Sequence, residues 1–459
     1  MIQLQSAFDF KKETKDLVII ANENQATKDL FDLFENQLDT FKDEDFTTVH
    51  TLGKILAKRI HVIGKNKLFE EKSFNKIVSK LENLDDDILI LKNSFTSKEQ
   101  EKISLLVEKM ITKRYLIETF KSKKSDPKGT IYFYGDDMRK DIDEGTIYGE
   151  SINKAKDLVN TPYNHLNAKD LAEYAKILEK YPNIKVQIFD KKQIEKMNMG
   201  AFLGVNKGSS DEPYLIMIQY KKEGNKDEPT ALVGKGVMYD TGGYSLKTPQ
   251  SMPGMKVDMA GAAAVISAIE GIARLGLDAN VISIVAATDN RIGDGAIVPD
   301  DILTSANGKT IEIVSTDAEG RLTLADAVWF AQKEGAKKVI DVATLTGAIV
   351  AALGQKYTGA FTNNQDFLND FKTVTEETKE MLWQMPVSDV FHEELKSKVA
   401  DLSNKGGRLA GASIAAAFIE EFIDEDTKWI HLDIAGTSSN KKDGATGAMV
   451  KSFIKYFEK

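Results

Sequence analysis

The chain has no cysteine among its 459 residues. Disulfides, thiolate nucleophiles and Cys-ligated zinc are therefore all excluded. Histidine is nearly as scarce, with only His50, His61, His165, His392 and His431. None of them lies within the chain's chemistry-bearing stretches 233–247, 255–259 and 315–322. A His-rich zinc site is thus unsupported, and a Ser-His-Asp triad has no nucleophile-elbow motif behind it. His431 falls in an apolar strand pattern and reads as a packed core residue. Long hydrophobic runs are missing as well. The two longest weakly polar runs, Val339 to Gly354 and Met259 to Leu277, carry Asp341 in the first and Glu270 and Arg274 in the second. Both read as core elements, not membrane spans. The opening residues show no basic region followed by an apolar one, so no secretory signal is visible and a cytoplasmic location is expected. Phosphate loops are absent too. Tyr239 stands where the dinucleotide fingerprint begun by Gly234-Lys235-Gly236 needs glycine, and Leu303 where a Walker loop ending at Gly308-Lys309-Thr310 needs one.

What is present describes a globular chain of more than one domain. Hydrophobic residues make up 42% and charged residues 29%, a soluble balance, and the length exceeds one ordinary core. A net charge of -9 argues against a dedicated nucleic-acid binder. Strand-like runs (17–21, 59–63, 88–91, 131–134) alternate with helical patterns in the first part, the clearest helix running from Thr96 to Leu116 with a Thr96/Glu99 capping box. After residue 167 the composition shifts toward glycine and alanine, and apolar strands separated by helices predict a largely parallel sheet covered on both faces. The expected fold is α/β: a smaller N-terminal α/β domain over 1–143, a connecting helix and loop over 144–166, and a larger domain over 167–459. That larger domain has a central, mostly parallel sheet flanked by helices.

Three stretches carry the chemistry. The first is Ser315-Thr316-Asp317-Ala318-Glu319-Gly320-Arg321-Leu322, which places two carboxylates between a strand pattern (Thr310 to Val314) and a helix. Ligand sites gather at strand ends of this kind in open α/β sheets. Neighbouring carboxylates repel unless a cation or proton is shared between them. The second runs from Val233 to Lys247. It reads as a short strand, Ala231 to Val233, entering a glycine-rich turn that presents Lys235, Asp240 and Lys247 on irregular structure. The third, Met255 to Met259, precedes a small-residue helix that Asp258 is placed to cap. Each carboxylate alone has this bland reading. Together, Asp240, Asp258, Asp317 and Glu319 bring about four negative charges, which two divalent ions would offset. Lys235 joins such a site only as a neutral amine, a form that a neighbouring cation favours.

With these residues in view, the sequence resembles the leucyl aminopeptidase (cytosol aminopeptidase) family of dinuclear metallopeptidases. The first stretch is similar to the family's Asn-Thr-Asp-Ala-Glu-Gly-Arg-Leu, with Ser315 for the asparagine. The likeness runs in register over about residues 145–459, through Asp157 to Pro162, Val233 to Lys247, Met255 to Ala264, Asp341 to Gly347 and Asp433 to Gly436. It implies an exopeptidase in which Lys235, Asp240, Asp258 and Glu319 hold a tight metal, and Asp240, Asp317 and Glu319 a more exchangeable one, with Mn or Zn as the metals. It further implies a two-metal-activated water, Lys247 polarising the substrate carbonyl, and a bicarbonate ion on Arg321 as general base, helped by backbone near Gly320 and Leu345. The substrate's α-amine would reach a metal beside Asp258. Met255, Thr344, Gly347, Ala435 and Ser438 would line a first side-chain pocket suited to Leu or Met. A homohexamer acting on peptides, with neither membrane nor nucleic acid as partner, completes the implied picture.

Ser315, Tyr239, Tyr244 and Thr248 depart from the family pattern. At Ser315 altered local support is expected, not lost activity. Two other classes stay open on the sequence alone: a DNA-binding architectural oligomer, disfavoured by the acidic charge, and a different dinuclear hydrolase such as a phosphoesterase, which carboxylate ligands alone would permit.

Overall fold

The structure, a computed structural model, describes residues 1–9, 11–21, 28–34, 37–440 and 444–458. It divides into two compact units, Met1–Glu150 and Ser151–Lys459.

The first unit is built on six strands: β1 (Ile2–Leu4), β2 (Asp16–Ile20), β3 (Thr47–His50), β4 (Arg59–Ile63), β5 (Ile88–Leu91) and β6 (Ile131–Tyr134). They lie in the order β1-β6-β5-β2-β4-β3, with only the β3–β4 pair antiparallel. β2 and β5 are buried at every position, as central parallel strands must be. The helix expected from Thr96 onward is two helices, Ser97–Gln100 and Ile103–Lys113. Its capping box is present: Thr96 accepts from the Glu99 amide and Glu99 accepts from the Thr96 amide at 2.8 Å.

The second unit carries β7 (Ile184–Phe189), β8 (Tyr214–Lys221), β9 (Thr230–Asp240), β10 (Asn280–Asn290), β11 (Ile302–Thr304), β12 (Thr310–Glu312), β13 (Lys338–Ala343), β14 (Thr358–Thr362), β15 (Leu382–Gln384), β16 (Leu402–Ser403) and β17 (Lys428–Asp433). Eight of these form a sheet ordered β15-β14-β17-β13-β9-β10-β8-β7. Its centre, β17-β13-β9-β10, is parallel. Antiparallel pairs flank it, β14 on β17 and β8 on both β10 and β7. Strands β11, β12 and β16 form a separate small sheet.

Two expectations change here. β9 does not end at Val233 but continues through Gly234-Lys235-Gly236 to Asp240. The glycines serve packing instead of a turn. A Cβ on Gly234 would lie 2.6 Å from the Gly261 carbonyl oxygen, and one on Gly261 would lie 2.1 Å from that of Val342. The helix Ala260–Leu275 thus meets the sheet at backbone distance, which only glycine at both contacts permits. Second, the strand before the acidic stretch, β12, belongs to the small sheet and not to the main one.

Side chains alternate across β9. Ala231 and Val233 join a core with Leu322, Val328, Phe418 and Trp429, beneath the helices Gly320–Lys333 and Gly411–Glu420. Gly234, on the other face, touches Ala262.

Candidate active site

Lys235 follows Val233 on the face of β9 that meets the helix Gly320–Lys333. Its aliphatic end passes directly over the start of that helix: a Cβ on Gly320 would lie 2.4 Å from Lys235 Cε and 2.6 Å from Nζ. Asp240 is an odd number of residues further on and by strict alternation would face the opposite way. The pairing of β9 with β10 shows why it does not. The register moves from Thr288↔Val237 to Asn290↔Asp240, which places one extra residue in β9. A bulge re-aims the side chains beyond it, and Asp240 comes round to Lys235's side. Past the strand, Gly242 turns the chain at φ +85°, where a Cβ would stand 2.8 Å from Asp317 Oδ1.

The carboxylates converge. Asp240, Asp317 and Glu319 each offer an oxygen within 4.8 Å of the others. Lys235 Nζ lies 2.8 Å from Asp258 Oδ1 and 2.9 Å from Glu319 Oε1. Lys247 Nζ lies 2.6 Å from both Asp240 Oδ2 and Asp317 Oδ1. Burial pushes Asp240, Asp258 and Asp317 above the usual carboxylate range. Burial would lower the two lysines, but Asp258, Glu319 and Asp240 outweigh it for Lys235, and Asp240 and Glu319 for Lys247, so both ammonium groups are held protonated. The cluster thus gathers positive charge in whatever form is at hand. Asp258 Oδ2 and Glu319 Oε2 are buried without a hydrogen-bond partner among the described residues. Oxygen donors, a lysine amine and two orphaned carboxylate oxygens suit a hard or borderline divalent cation. Arg321 is buried beside them. It is lowered to about 10 by desolvation, against the pull of Glu319 and Asp433. Its Nη1 donates to the Asn404 carbonyl at 2.8 Å, and its Nε has no partner.

These residues wall one cavity of about 570 Å³. All five expected metal ligands line it, as do Lys247 and Arg321, and Met255, Thr344, Leu345, Gly347 and Ala435. Ser438 does not: it is buried, and its hydroxyl has no hydrogen-bond partner among the described residues. A neighbouring cavity of about 630 Å³, walled by Pro162, Tyr163, Tyr239, Leu246, Arg291 and others, contains no carboxylate, so the chemistry belongs to the smaller one. Tyr239, one of the atypical residues, faces that neighbour and donates to the Met252 carbonyl at 3.3 Å.

A catalytic-domain model of the cytosol aminopeptidase family matches residues 153–454. A solved structure of a tomato leucine aminopeptidase mutant superposes with a TM-score of 0.85 at 30% identity, covering 100% of this chain and 96% of that one. The chain belongs to the cytosol aminopeptidase family. It is accordingly a metal-dependent aminopeptidase with the leucine aminopeptidase fold.

Several groups that support the aminopeptidase site have no signal in the three stretches. Asn290, at the end of β10, donates to Asp240 Oδ1 at 2.8 Å and to the Thr316 carbonyl at 2.9 Å. Asp258 caps nothing. Met259 holds the N-cap position without a side-chain bond, and Asp258 instead accepts from Lys235 and from the Thr344 hydroxyl, both at 2.8 Å. Asp433 accepts from the Leu345 and Ala435 amides and the Thr346 hydroxyl, fixing two loops of the cavity wall. Asn404 matters most to the signature stretch. Its Oδ1 accepts from Val314 and Ser315 amides at 2.8 and 3.2 Å, and its Nδ2 donates to the Ser315 carbonyl at 2.7 Å. Ser315 is therefore held through its main chain. A polar residue closing an apolar strand (Asn290, Asp433) and an Asn before a Gly-Gly pair (Asn404) were the available cues.

Proposed function

We propose that this enzyme removes the N-terminal residue from peptides, preferring Leu- or Met-like side chains, with two divalent ions, Mn²⁺ or Zn²⁺. The observation that carries the reading is the convergence of Asp240, Asp317 and Glu319 within 4.8 Å, next to the orphaned oxygens of Asp258 and Glu319. Lys235, Asp240, Asp258 and Glu319 would hold one ion, and Asp240, Asp317 and Glu319 the other. Bound there, the pair supplies Lewis acidity and a water made acidic enough to attack at neutral pH.

The chain's own groups do the rest. The Lys247 ammonium, kept charged by Asp240, faces the cavity and stabilises negative charge growing on the scissile carbonyl oxygen. Arg321, with its Nε unpartnered, would hold a bicarbonate ion, which would supply a general base in a cavity without histidine. Asp258 would hold the ion that the substrate's α-amine reaches, which restricts cleavage to the first peptide bond. Met255, Thr344, Leu345, Gly347 and Ala435 enclose the first side chain. The homohexamer and a cytoplasmic location belong to the same reading and rest on family resemblance.

The test is turnover of leucine p-nitroanilide by chelated protein, then after restoring Mn²⁺ or Zn²⁺. Activity should return with metal and follow Leu and Met over charged first residues; no turnover with any divalent ion would sink the reading.

A further inference from the structure

The cavity has a wall that the reaction does not use. Lys405, Gly406, Gly407 and Arg408 line the same 570 Å³ space as the carboxylates. The loop is fixed beside the Ser315–Ala318 stretch. Asn404, immediately before it, bonds to Ser315 and, at 3.4 Å, to the Ala318 carbonyl. Gly407 donates to Glu394 Oε2 at 3.3 Å. Gly406 has no space for a side chain, since a Cβ there would lie 2.9 Å from the Glu394 carbonyl oxygen and 3.0 Å from Ile414 Cγ2. At its far end Ala410 adopts φ +54° to start the next helix, a left-handed conformation costly for a residue with a Cβ. The backbone is thus held in one path, and that path carries two cations to the cavity.

The cations on this wall differ from every other cation around the cavity. Lys235 and Lys247 each pair with two carboxylates, and Arg321 is buried against the Asn404 carbonyl. Lys405 and Arg408 are exposed, and neither makes an ion pair among the described residues. Charge balance makes their position informative. Two divalent ions would cancel Asp240, Asp258, Asp317 and Glu319, and a bicarbonate ion on Arg321 would cancel that guanidinium, leaving Lys247, Lys405 and Arg408 as the uncompensated cations of a confined space. An aminopeptidase substrate enters with its amine directed to the acidic end. A peptide of two or three residues ends in a carboxylate, and a guanidinium or an ammonium on the same cavity-lining loop is well suited to bind one.

Resting on the aminopeptidase reading, we propose that Lys405 and Arg408 bind the C-terminal carboxylate of short substrates. Di- and tripeptides with a free C-terminus are then the preferred substrate class. The enzyme measures its substrate from both ends, metal-binding residues at the amine and the Lys405–Arg408 loop at the carboxylate.

The experiment compares kcat/KM for Leu-Gly and Leu-Gly-Gly with their C-terminal amides, using metal-loaded enzyme, the wild type against Lys405→Ala/Arg408→Ala and Arg408→Glu. In the wild type the free acid of at least one length should exceed its amide by about 2- to 5-fold, up to the size of one exposed ion pair. The difference should lie in KM and shrink as salt is raised. The double variant should bring the ratio to about one, and Arg408→Glu should reverse it. Calorimetric titration with a reduced-bond Leu-Gly isostere and its amide gives the same comparison without turnover. A wild-type ratio below about twofold at both lengths, or a ratio that the variants do not move, overturns the proposal while leaving the aminopeptidase reading intact. Failure on leucine p-nitroanilide with every metal overturns that reading instead.

Discussion

Two walls of one cavity carry charge in opposite ways. On the first, Lys235, Asp240, Asp258 and Glu319 are almost fully buried, and each charge is compensated by neighbours less than 3 Å away. On the second, Lys405 and Arg408 stand in solvent, with no ion-pair partner among the described residues. Burial makes the difference. A charge taken out of water must be matched inside the protein, so it becomes structural as well as chemical. A charge left in water remains available to whatever ligand arrives.

The comparison is broken most directly at Lys235. Replacing it with Met leaves Asp258 and Glu319 without their ammonium, and urea melts in chelator should lose about 3–5 kcal/mol; added Mn²⁺ should recover part of this. Asn404→Ala comes next. It strips partners from the Val314 and Ser315 amides, and chemical denaturation should show a loss of about 2–3 kcal/mol together with a lower kcat. Chelation of the wild type should lower thermal stability by the binding linkage, about 2.7 kcal/mol when free metal stood at 100 times its Kd. At the exposed wall Lys405→Ala should change stability by less than about 0.5 kcal/mol, and an equal loss at both walls would refute the contrast.

One further effect is pH-dependent. His392 bonds Glu420 and Glu421 at 2.9 and 2.7 Å. Partial burial would lower it, but the two carboxylates raise it above the ordinary histidine value. A raised folded value means that the ion-pair contribution is complete below about pH 6.5 and fades as pH rises through the folded value. His392→Gln should flatten that slope in melts taken between about pH 5 and 8, by less than about 1 kcal/mol.

Much of the molecule was legible because its signals are local. The strand at 59–63, the Thr96 capping box and the paired carboxylates of Asp317 and Glu319 each declare themselves within a few residues. What was hidden depends on distant partners. The glycines at 234 and 236 looked like a turn, since nothing near them reveals that Gly261 lies against the strand. The extra residue that rotates Asp240 toward Lys235 exists only in the pairing with β10. Asn404 acts on residues 89 and 90 positions away, and its strand of two residues is too short to leave a periodic pattern. Asp258 had a local explanation, the helix cap, and that explanation masked its pairing with Lys235.

The side chain of Asn404 behaves like one more peptide group. Its backbone amide extends the β12–β16 pairing by bonding to the Glu312 carbonyl, and its carboxamide then carries the ladder on to Val314 and Ser315 after the strand itself has turned away. The hydrogen bonds that hold Val314 and Ser315 are therefore made by Asn404 itself and not by the loop that follows it. Evolution can lengthen, recharge or reshape the 405–410 loop, and with it the peptides admitted, while the residues that perform hydrolysis stay where they are. One asparagine makes selectivity and catalysis separately inheritable.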